Sequence, residues 1–431
     1  MTTAAASEPR RDSEPTTVTV ASQATLPPEQ RTYGPLLVWG GAAKQTPYLL
    51  FRPLRFTLDE LWDDAPRPVD CPWELSYQLA RTESRLLRTL LHDHGFRPTS
   101  SSNYNLCWHN GHVAPSTLLA LNEYQKVNHF PNTQQITRKD LMARTLSAMR
   151  DAHGAAAYAA LFGANSSAQF SERRNSPTHR YDFFPPTYVL PADTEALHAA
   201  MARDRGAWIV KPIASSCGRG ISIVQTPQQL PHDDIVVSKY IGRPLLVDGY
   251  KFDLRLYVAV TSFEPLRAYI YDEGLARFST VKYTNDHADQ PSHLSNPFMH
   301  LTNYSINKKS SDFVPNQDAS QDGEGTKWSL SALRRRLAQS GIDVPALFAK
   351  IDALVLKTLI AVEPSVVAAT RRYCHHRNSC FEMVGFDVLI DENLKPWLIE
   401  VNLSPSLAAD SPIDLKLKTQ MLASLFTLVG L

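Results

Sequence analysis

The C-terminal stretch over residues 381–407, FEMVGFDVLIDENLKPWLIEVNLSPSL, predicts two β-strands joined by a short polar turn. A turn centred near Asn393 places Asp387 opposite Glu400. Side chains alternate along a strand, so Asn402 shares a face with Glu400. Two carboxylates and one amide oxygen on a single face are ligands that suit Mg²⁺. The alternative is a solvent-facing strand whose polar residues meet only water.

Composition describes an ordinary globular protein and excludes several other classes. The chain has 431 residues, a hydrophobic fraction of 43%, a charged fraction of 20% and a net charge of +1. Overall charge therefore predicts no partner, and any site for an acidic partner must be a local basic patch. Neither a nucleic-acid nor a membrane partner is expected. The first residues lack the apolar segment of a signal peptide, and Ile351–Val367 is too charged and too short to span a bilayer. Five cysteines without zinc-like spacing favour a reducing compartment.

The chain divides into four predicted regions. Residues 1–32 are rich in Thr, Ala, Ser, Glu and Pro, and we expect a disordered tail. An N-terminal αβ domain is predicted over 33–170, a central domain over 181–242 and a C-terminal domain over 243–431, with a polar linker over 171–180.

Within the N-terminal domain, leucine spacing over Tyr77–His92 predicts a helix, and Cys107-Trp108 predicts a short strand. Thr137 with Asp140 resembles a helix-capping pair. His129 has no ligand-type partner nearby in the sequence, so we interpret it as structural.

A second stretch with candidate binding residues is Trp208–Val224, WIVKPIASSCGRGISIV. An apolar strand delivers Lys211, small residues follow over Ala214–Gly220, and a second strand begins at Ile221. Small residues allow backbone N–H groups to approach phosphates, and the lysine can neutralise phosphate charge. The order of lysine and glycines differs from that of a P-loop, which fits a hairpin flap closing over a nucleotide. Glycine-rich hairpins without a ligand are also common.

Two further strands complete the predicted site. Ile235–Ile241 is apolar, and the backbone of 238–241 can offer adenine a donor and an acceptor. In Tyr250–Val260, the charged residues Lys251, Asp253 and Arg255 alternate with core-facing residues. Such a charged face is either a site or a solvated surface. Charged positions in the neighbouring predicted strands favour the site, and Arg277 is placed near the end of one of them.

Taken in order, these features resemble the ATP-grasp fold, and the longer motifs resemble the tubulin tyrosine ligase-like family. The matching motifs are KVNHFP (126–131), TRKD (137–140), WIVKP (208–212), GRGI (218–221), KFDLRLYV (251–258), EGLARFST (273–280), MHLTNYS (299–305), GFDVLI (385–390) and EVNLSPSL (400–407). The similarity runs from about residue 33 to residue 431, and it is greatest to the glutamylase branch of the α-tubulin polyglutamylase type. The implied fold class is α/β (α+β), in which the central domain carries the phosphate flap and the C-terminal domain the Mg²⁺ site.

The resemblance implies a role for each matching residue. ATP would be contacted by Lys211, Arg219, Gly220, Ser238, Lys239, Tyr240, Ile241, Lys251, Phe252, Asp253, Thr302 and Asn303. Mg²⁺ would be bound by Asp387, Glu400 and Asn402, which agrees with the spacing argument. Free L-glutamate would meet Arg277, Tyr304, Ser305 and Lys418. Catalysis would rest on Arg255 and Lys211, with Lys139 also near phosphate.

The implied reaction is amide formation through an acyl phosphate, which needs ATP and Mg²⁺. The acceptor would be a glutamate side chain in a tubulin C-terminal tail, with the α-tubulin tail favoured, and the donor would be free glutamate. No nucleophilic cysteine is required, so Cys217 would be a bystander. Basic clusters at 308–309, 334–336, 371–372 and 375–377 are either solvated faces or a means of attracting the acidic tail. The resemblance further implies a monomer in the cytoplasm, on the cytoskeleton, including the cilium or basal body.

Two departures and two alternatives accompany this interpretation. Ser238-Lys239 stands where much of the family has Gln-Lys, which removes one side-chain contact to adenine. No basic microtubule-binding extension follows Leu431, so activity on polymerised microtubules is expected to need a partner. The donor is alternatively glycine or tyrosine. A nucleotide-binding but inactive microtubule-associated protein is the alternative of another class.

Overall fold

The structure is a computed structural model, and it describes residues 36–40, 46–53, 74–152, 181–213, 218–284, 294–316, 318 and 322–431. The predicted tail over 1–32 and the predicted linker over 171–180 lie outside these residues. So do residues 214–217 of the flap, which include Cys217.

The N-terminal strands form a hairpin and a parallel sheet. The elements are β1 (Leu36–Gly40), β2 (Thr46–Leu50), β3 (Ser76–Ala80), α1 (Arg85–Asp93), β4 (Arg97–Pro98), β5 (Leu106–His109), α2 (Pro115–Leu119), β6 (Lys126–Val127), α3 (Gln134–Thr137) and α4 (Lys139–Ala152). β1 pairs with β2, and β3 to β6 form a sheet in the order β4-β3-β5-β6. The predicted strand at Cys107-Trp108 is confirmed as β5.

The helix predicted over Tyr77–His92 is wrong in its first half, where the chain forms β3. Arg81 takes a positive φ of 58°, which no helix permits, and ends the strand. The helix then starts at Arg85, capped by the Ser84 hydroxyl, which accepts the Leu87 N–H at 3.3 Å.

The capping role predicted for Thr137 is also wrong. Thr137 is the last residue of α3, and its hydroxyl donates to the Thr133 carbonyl at 3.2 Å. Asp140 instead accepts two hydrogen bonds from Arg138, at 3.2 and 2.8 Å.

The structural role of His129 is confirmed. Its Nδ1 lies 2.5 Å from Oε1 of Glu382, and both side chains are buried. The other Glu382 oxygen accepts the Phe130 N–H at 3.0 Å. This pair ties the strand that carries the C-terminal site to the segment after β6.

The central region is a four-stranded antiparallel sheet with one helix. It contains β7 (Thr187–Val189), α5 (Thr194–Arg203), β8 (Trp208–Pro212), β9 (Ser222–Val224) and β10 (Ile235–Lys239), with the strand order β7-β10-β8-β9. β8 and β9 are the hairpin predicted around the flap. β10 corresponds to the strand predicted over Ile235–Ile241, which is called the linking strand below.

The C-terminal region is a six-stranded antiparallel sheet. Its strands are β11 (Leu246–Val247), β12 (Tyr250–Phe263), β13 (Leu266–Phe278), β14 (Lys327–Ser329), β15 (Glu382–Ile390) and β16 (Pro396–Asn402). The order is β14-β13-β12-β15-β16, with β11 on β12. The alternation predicted for β12 is observed, because Phe252, Leu254 and Leu256 lie in the main hydrophobic core.

Helices cover both faces of this sheet. They are α6 (Pro297–His300), α7 (Tyr304–Asn307), α8 (Leu330–Gln339), α9 (Val344–Tyr373) and α10 (Pro412–Val429). Phe51 of the N-terminal region packs on Phe426 of α10 at 5.2 Å between ring centroids, and both belong to one hydrophobic core. In the described part of the chain, no helix is both long and apolar enough to cross a membrane.

Candidate active site

The β15–β16 hairpin carries the three predicted metal ligands on one face. Asp387 pairs with Glu400, as the sequence predicts, and Gly385 pairs with Asn402. The Asn402 amide nitrogen lies 3.3 Å from Glu400 Oε1 and 3.5 Å from Asp387 Oδ2. The amide thus donates to both carboxylates, and a flip of this amide would turn its oxygen toward the same point. This donor set fits a hard divalent cation.

Two arginines meet the buried Asp387. Arg255 donates to it through two nitrogens, at 2.5 and 3.0 Å, and an Arg277 nitrogen lies 2.9 Å from Oδ2. Burial alone would raise the pKa of Asp387, but the two guanidinium groups outweigh it and hold that pKa well below its usual range. The carboxylate is therefore ionised, which is the form that a metal needs.

Arg277 also forms a fork with Asp253, with distances of 2.8 and 2.5 Å. The two residues face each other across β12 and β13, and both are largely buried. The charged face predicted on β12 is thus paired inside the protein and is not a solvated surface.

Two lysines border the hairpin. Lys139 lies 3.4 Å from Glu400 through its ammonium group. Lys211 of β8 is buried, which lowers its pKa, while the nearby Glu400 opposes that shift. Both lysines lie beside the carboxylates and cleft that would receive a phosphate chain.

A cleft lies between the central sheet and the C-terminal sheet. Its walls are formed by Pro185, Ile209, Lys211, Ile221, Ser238, Lys239, Tyr240, Ile241, Lys251, Asp253, His300, Leu301, Thr302, Asn303, Asp387, Leu389, Ile399 and Glu400. Apolar and aromatic side chains from both sheets form one part, and the carboxylates of the hairpin form another. This cleft brings together most of the residues predicted to contact ATP.

Some backbone N–H groups of the linking strand already donate to carbonyls of the protein. The N–H groups of Lys239 and Tyr240 donate to the carbonyls of Pro186 and Ala207, at 2.9 and 3.0 Å. The hydroxyl of Ser238 lies 2.9 Å from that of Thr187. We therefore expect the backbone donor for adenine to come from Ile241.

Lys251 lies against the aromatic wall of the cleft. Its ammonium group donates to the Tyr240 hydroxyl at 2.9 Å and lies 4.5 Å from the centre of that ring. The Tyr240 hydroxyl is also 2.8 Å from Nδ1 of His300, which belongs to the MHLTNYS motif but was given no role of its own from the sequence. Burial is the main reason why the pKa of Lys251 falls to about 7, although Asp253 opposes the shift.

Two residues predicted to contact the nucleotide, Phe252 and Arg219, do not line the cleft. The Phe252 ring packs against Phe278 in the core, so its side chain points away from the cleft. Arg219 is exposed in the turn that ends the flap. Gly220 beside it has a φ of +70°, and a Cβ there would lie 2.8 Å from the Pro212 ring, which explains the glycine.

A second group of charges begins where β13 meets β14. Arg277 pairs across the strands with Lys327, whose ammonium lies 4.2 Å from the centre of the Tyr304 ring. Lys327 and Lys418 both bind the buried Asp414, at 2.5 and 2.9 Å. Lys418 also donates to the Ala408 carbonyl. The structure thus links three of the residues predicted to bind glutamate.

Two members of this group were missed by sequence reasoning. Lys327 lies in the short motif KWS and gave no spacing signal. Asp414 did give one, because it stands four residues before Lys418 on α10, the spacing of a helical ion pair. Burial raises the pKa of Asp414, but the two lysines outweigh it and the pKa is lowered overall. Ser305 follows Tyr304 on α7.

Comparison with known proteins gives extensive matches. Mouse tubulin polyglutamylase TTLL5 is 44% identical over 400 residues, which is 92% of this chain and 28% of that protein. Mouse tubulin monoglutamylase TTLL4 is 36% identical over 413 residues, covering 94% of this chain and 31% of that protein. Tubulin polyglutamylase ttll-5 of Caenorhabditis elegans is 38% identical over 370 residues, covering 82% of this chain and 47% of that protein. The chain therefore spans between about a quarter and half of the length of these relatives.

Residues 117–430 match the profile of the tubulin-tyrosine ligase family, an ATP-grasp-like family, and this match includes every candidate site residue described above. The match covers well over half of the chain and agrees with the mixed α/β architecture and with the carboxylate hairpin. The chain belongs to the tubulin-tyrosine ligase family.

Proposed function

We propose that this chain is an ATP-dependent tubulin polyglutamylase that joins free glutamate to glutamate side chains of tubulin tails. The observation that carries the proposal is the hairpin of Asp387, Glu400 and Asn402, in which Arg255 and Arg277 bind Asp387 and the first two carboxylates line the cleft. Family membership and relatives named as tubulin glutamylases support the same reaction.

The proposed metal is Mg²⁺, held by Asp387, Glu400 and Asn402. When bound, it would offset charge on the phosphates of ATP. Arg255 and Arg277 already bind Asp387, so they keep this carboxylate ionised and fixed in position. The fit rests on the oxygen donors of the hairpin and on the lowered pKa of Asp387.

The first chemical step is attack of the acceptor carboxylate on the γ-phosphorus, which gives an acyl phosphate and ADP. Lys211 would neutralise phosphate charge, and Arg255 would hold the transferred phosphoryl group. The amine of free glutamate then attacks the acyl carbon and releases phosphate. Both steps need a site that excludes water, and burial of Lys211 and Asp387 supports such a site.

Glutamate is favoured as the donor by the charge around Asp414. Free glutamate carries two carboxylates, whereas glycine and tyrosine carry one. Lys327 and Lys418 both bind Asp414, and Arg277 lies on the strand beside Lys327. The ammonium groups of the two lysines are the kind of partner that the second carboxylate of glutamate needs.

The proposed acceptor is the acidic tail of tubulin, with α-tubulin favoured. Lys308 and Lys309 follow α7 directly, so they stand beside the residues predicted to bind the donor. The proposed places of action are the cytoplasm and the cytoskeleton, including the cilium or basal body, where tubulin is found. We further propose that the chain acts as a monomer.

The acyl phosphate can be trapped in a direct test. A glutamate-rich tubulin tail peptide is incubated with the protein, Mg²⁺, ATP and hydroxylamine, without glutamate. We expect ADP and a hydroxamate on a glutamate side chain of the peptide, both absent when the peptide is omitted. ADP release that does not depend on the peptide, with no hydroxamate, would contradict the proposed step.

A further inference from the structure

Two cysteines outside the proposed active site lie side by side. The Sγ atoms of Cys374 and Cys380 are 3.5 Å apart, and both are free thiols. Cys374 is the C-cap of α9, and Cys380 is two residues before the first residue of β15. The five residues between them form a short connection that ends the longest helix described.

Both cysteines are among the residues that line a large groove of about 980 Å³. The groove runs past the turn between β12 and β13 and past the end of α9, and its walls include Arg267, Arg371, His375, His376 and Arg377. Glu264 of that turn binds Arg371, and it is nine residues from Arg255 along β12. Thr261, another wall residue, is six residues from Arg255 on β12, so at about 3.3 Å per residue the groove begins roughly 20 Å from the proposed active site.

The surroundings hold Cys380 in place but leave room for the Cys374 side chain to move. Cys380 is buried, and the residues on either side of it hydrogen bond to the backbone of Val127, at 2.8 and 3.0 Å. Cys374 is half-buried, and the exposed residues 375–378 follow it. A disulfide needs the sulfurs at about 2.05 Å, so the Cys374 side chain must approach by roughly 1.5 Å.

We propose that Cys374 and Cys380 are a site of reversible oxidation, which forms a disulfide that fixes the basic 375–377 segment along the groove. Hydrogen bonding from Cys380 lowers the pKa of Cys374, which favours the reactive thiolate there. Among the described residues, no third His, Cys, Asp or Glu joins them in a metal-binding cluster.

The oxidant can be hydrogen peroxide. The Cys374 thiolate attacks one peroxide oxygen, the O–O bond breaks, and the leaving hydroxide takes a proton and becomes water. Cys380 then attacks the sulfenic acid sulfur, the S–S bond forms, and a second water leaves with the remaining oxygen. The two sulfurs together lose two electrons, and a thiol reductant reverses the change.

Peptide mapping tests the proposal. Trypsin cleaves after Arg372 and Arg377 but not at Lys395, which precedes Pro396, so the two cysteines lie on separate peptides, residues 373–377 and 378–416. Reduced protein is treated with peroxide, free thiols are alkylated, and the digest is analysed without reductant. We expect these two peptides to be joined, with the loss of two hydrogens, and to separate after dithiothreitol.

The matched control is Cys107→Ser, since Cys107 is also a buried free cysteine but its sulfur lies beside Gln78. The joined peptides should form equally in this variant and vanish in Cys374→Ser. Oxidation of Cys374 to sulfinic acid without the link would overturn the proposal. So would linkage of Cys374 to another cysteine at the same rate.

Discussion

Asp387 is the residue on which the charges of the site converge. It lies opposite Glu400 and Arg255 on the two neighbouring strands, and Arg277 reaches it from one strand further along. Removing one member of such a buried ion network leaves a charge without its partner, which is costly. A variant of Asp387 is therefore expected to lose both activity and stability. A variant of the less buried Glu400 is expected to lose activity while the fold stays stable.

Glu400→Gln is such a variant, because Glu400 is only half-buried and its neutral amide keeps the shape of the side chain. The change removes one metal-binding charge, so we expect ligation to slow by at least about 100-fold while the melting temperature changes little. The matched control is Glu392→Gln, at the turn of the same hairpin, where the carboxylate meets Arg243 on the surface. Equal activity of the two variants would contradict the metal assignment.

We expect nucleotide binding to depend on pH, because Lys251 loses its charge near neutral pH. Its pKa of about 7 means that the ammonium form dominates below this pH and is lost above it. A phosphate binds the ammonium form better, so the affinity for an ATP analogue should fall as pH rises above 7, by no more than about tenfold per pH unit. Titration calorimetry across this range measures it. Lys251→Arg, which stays charged, should flatten the dependence, and an unchanged slope would remove Lys251 from the binding site.

At the scale of elements, the sequence predicts which segments are strands and which face of each strand is buried. It predicts less well which strands are neighbours in a sheet. The β15–β16 register and the alternation of β12 follow from apolar periodicity, and both are confirmed. The link between Arg277 and Asp387 could not be predicted, because it depends on which strands of β12, β13 and β15 are neighbours.

Local ambiguity explains the errors in the N-terminal region. Leu79 fits a strand as well as a helix, and only the backbone turn at Arg81 decides between them. The buried Glu382 that binds His129 is 253 residues away in the chain, so no short-range pattern could reveal it.

Gly274 is an element-scale test of the β12–β13 pairing. A Cβ at this position would lie 2.4 Å from the Arg255 carbonyl oxygen and 2.9 Å from Leu330 Cδ1. We expect Gly274→Ala to lower the free energy of unfolding by about 1–3 kcal/mol, because the backbone of β12 must shift. Urea denaturation measures the change. Gly242→Ala, where a Cβ would meet nothing within 4 Å, is the control and should unfold like the parent protein.

At the scale of the whole molecule, the N-terminal and C-terminal regions share one hydrophobic core. Residues of β3 and α1 pack together with residues of α10, which also carries Lys418 and Asp414. Because of this shared core, we expect the N-terminal strands to support the donor side of the site, although no predicted site residue lies on them.

The position of the basic clusters predicts how the acidic tail binds. Lys308 and Lys309 follow α7, which carries the predicted glutamate-binding residues Tyr304 and Ser305, whereas Arg371 lines the distant groove and Arg372 follows it on α9. Replacing both lysines by Glu should raise KM for the tail peptide and weaken its salt dependence, with kcat little changed. The double Glu variant of Arg371 and Arg372 is the control and should leave KM unchanged. The reverse result would place tail binding at the groove.

Mass spectrometry of the ligation product tests the central claim most directly. The protein is mixed with tubulin, Mg²⁺ and ATP, and with glutamate, glycine or tyrosine in separate reactions. We predict that glutamate alone extends a glutamate side chain of a tubulin tail, by a ladder of glutamyl masses. Addition of glycine or tyrosine in place of glutamate, or ATP binding with no product from any of the three, would contradict it.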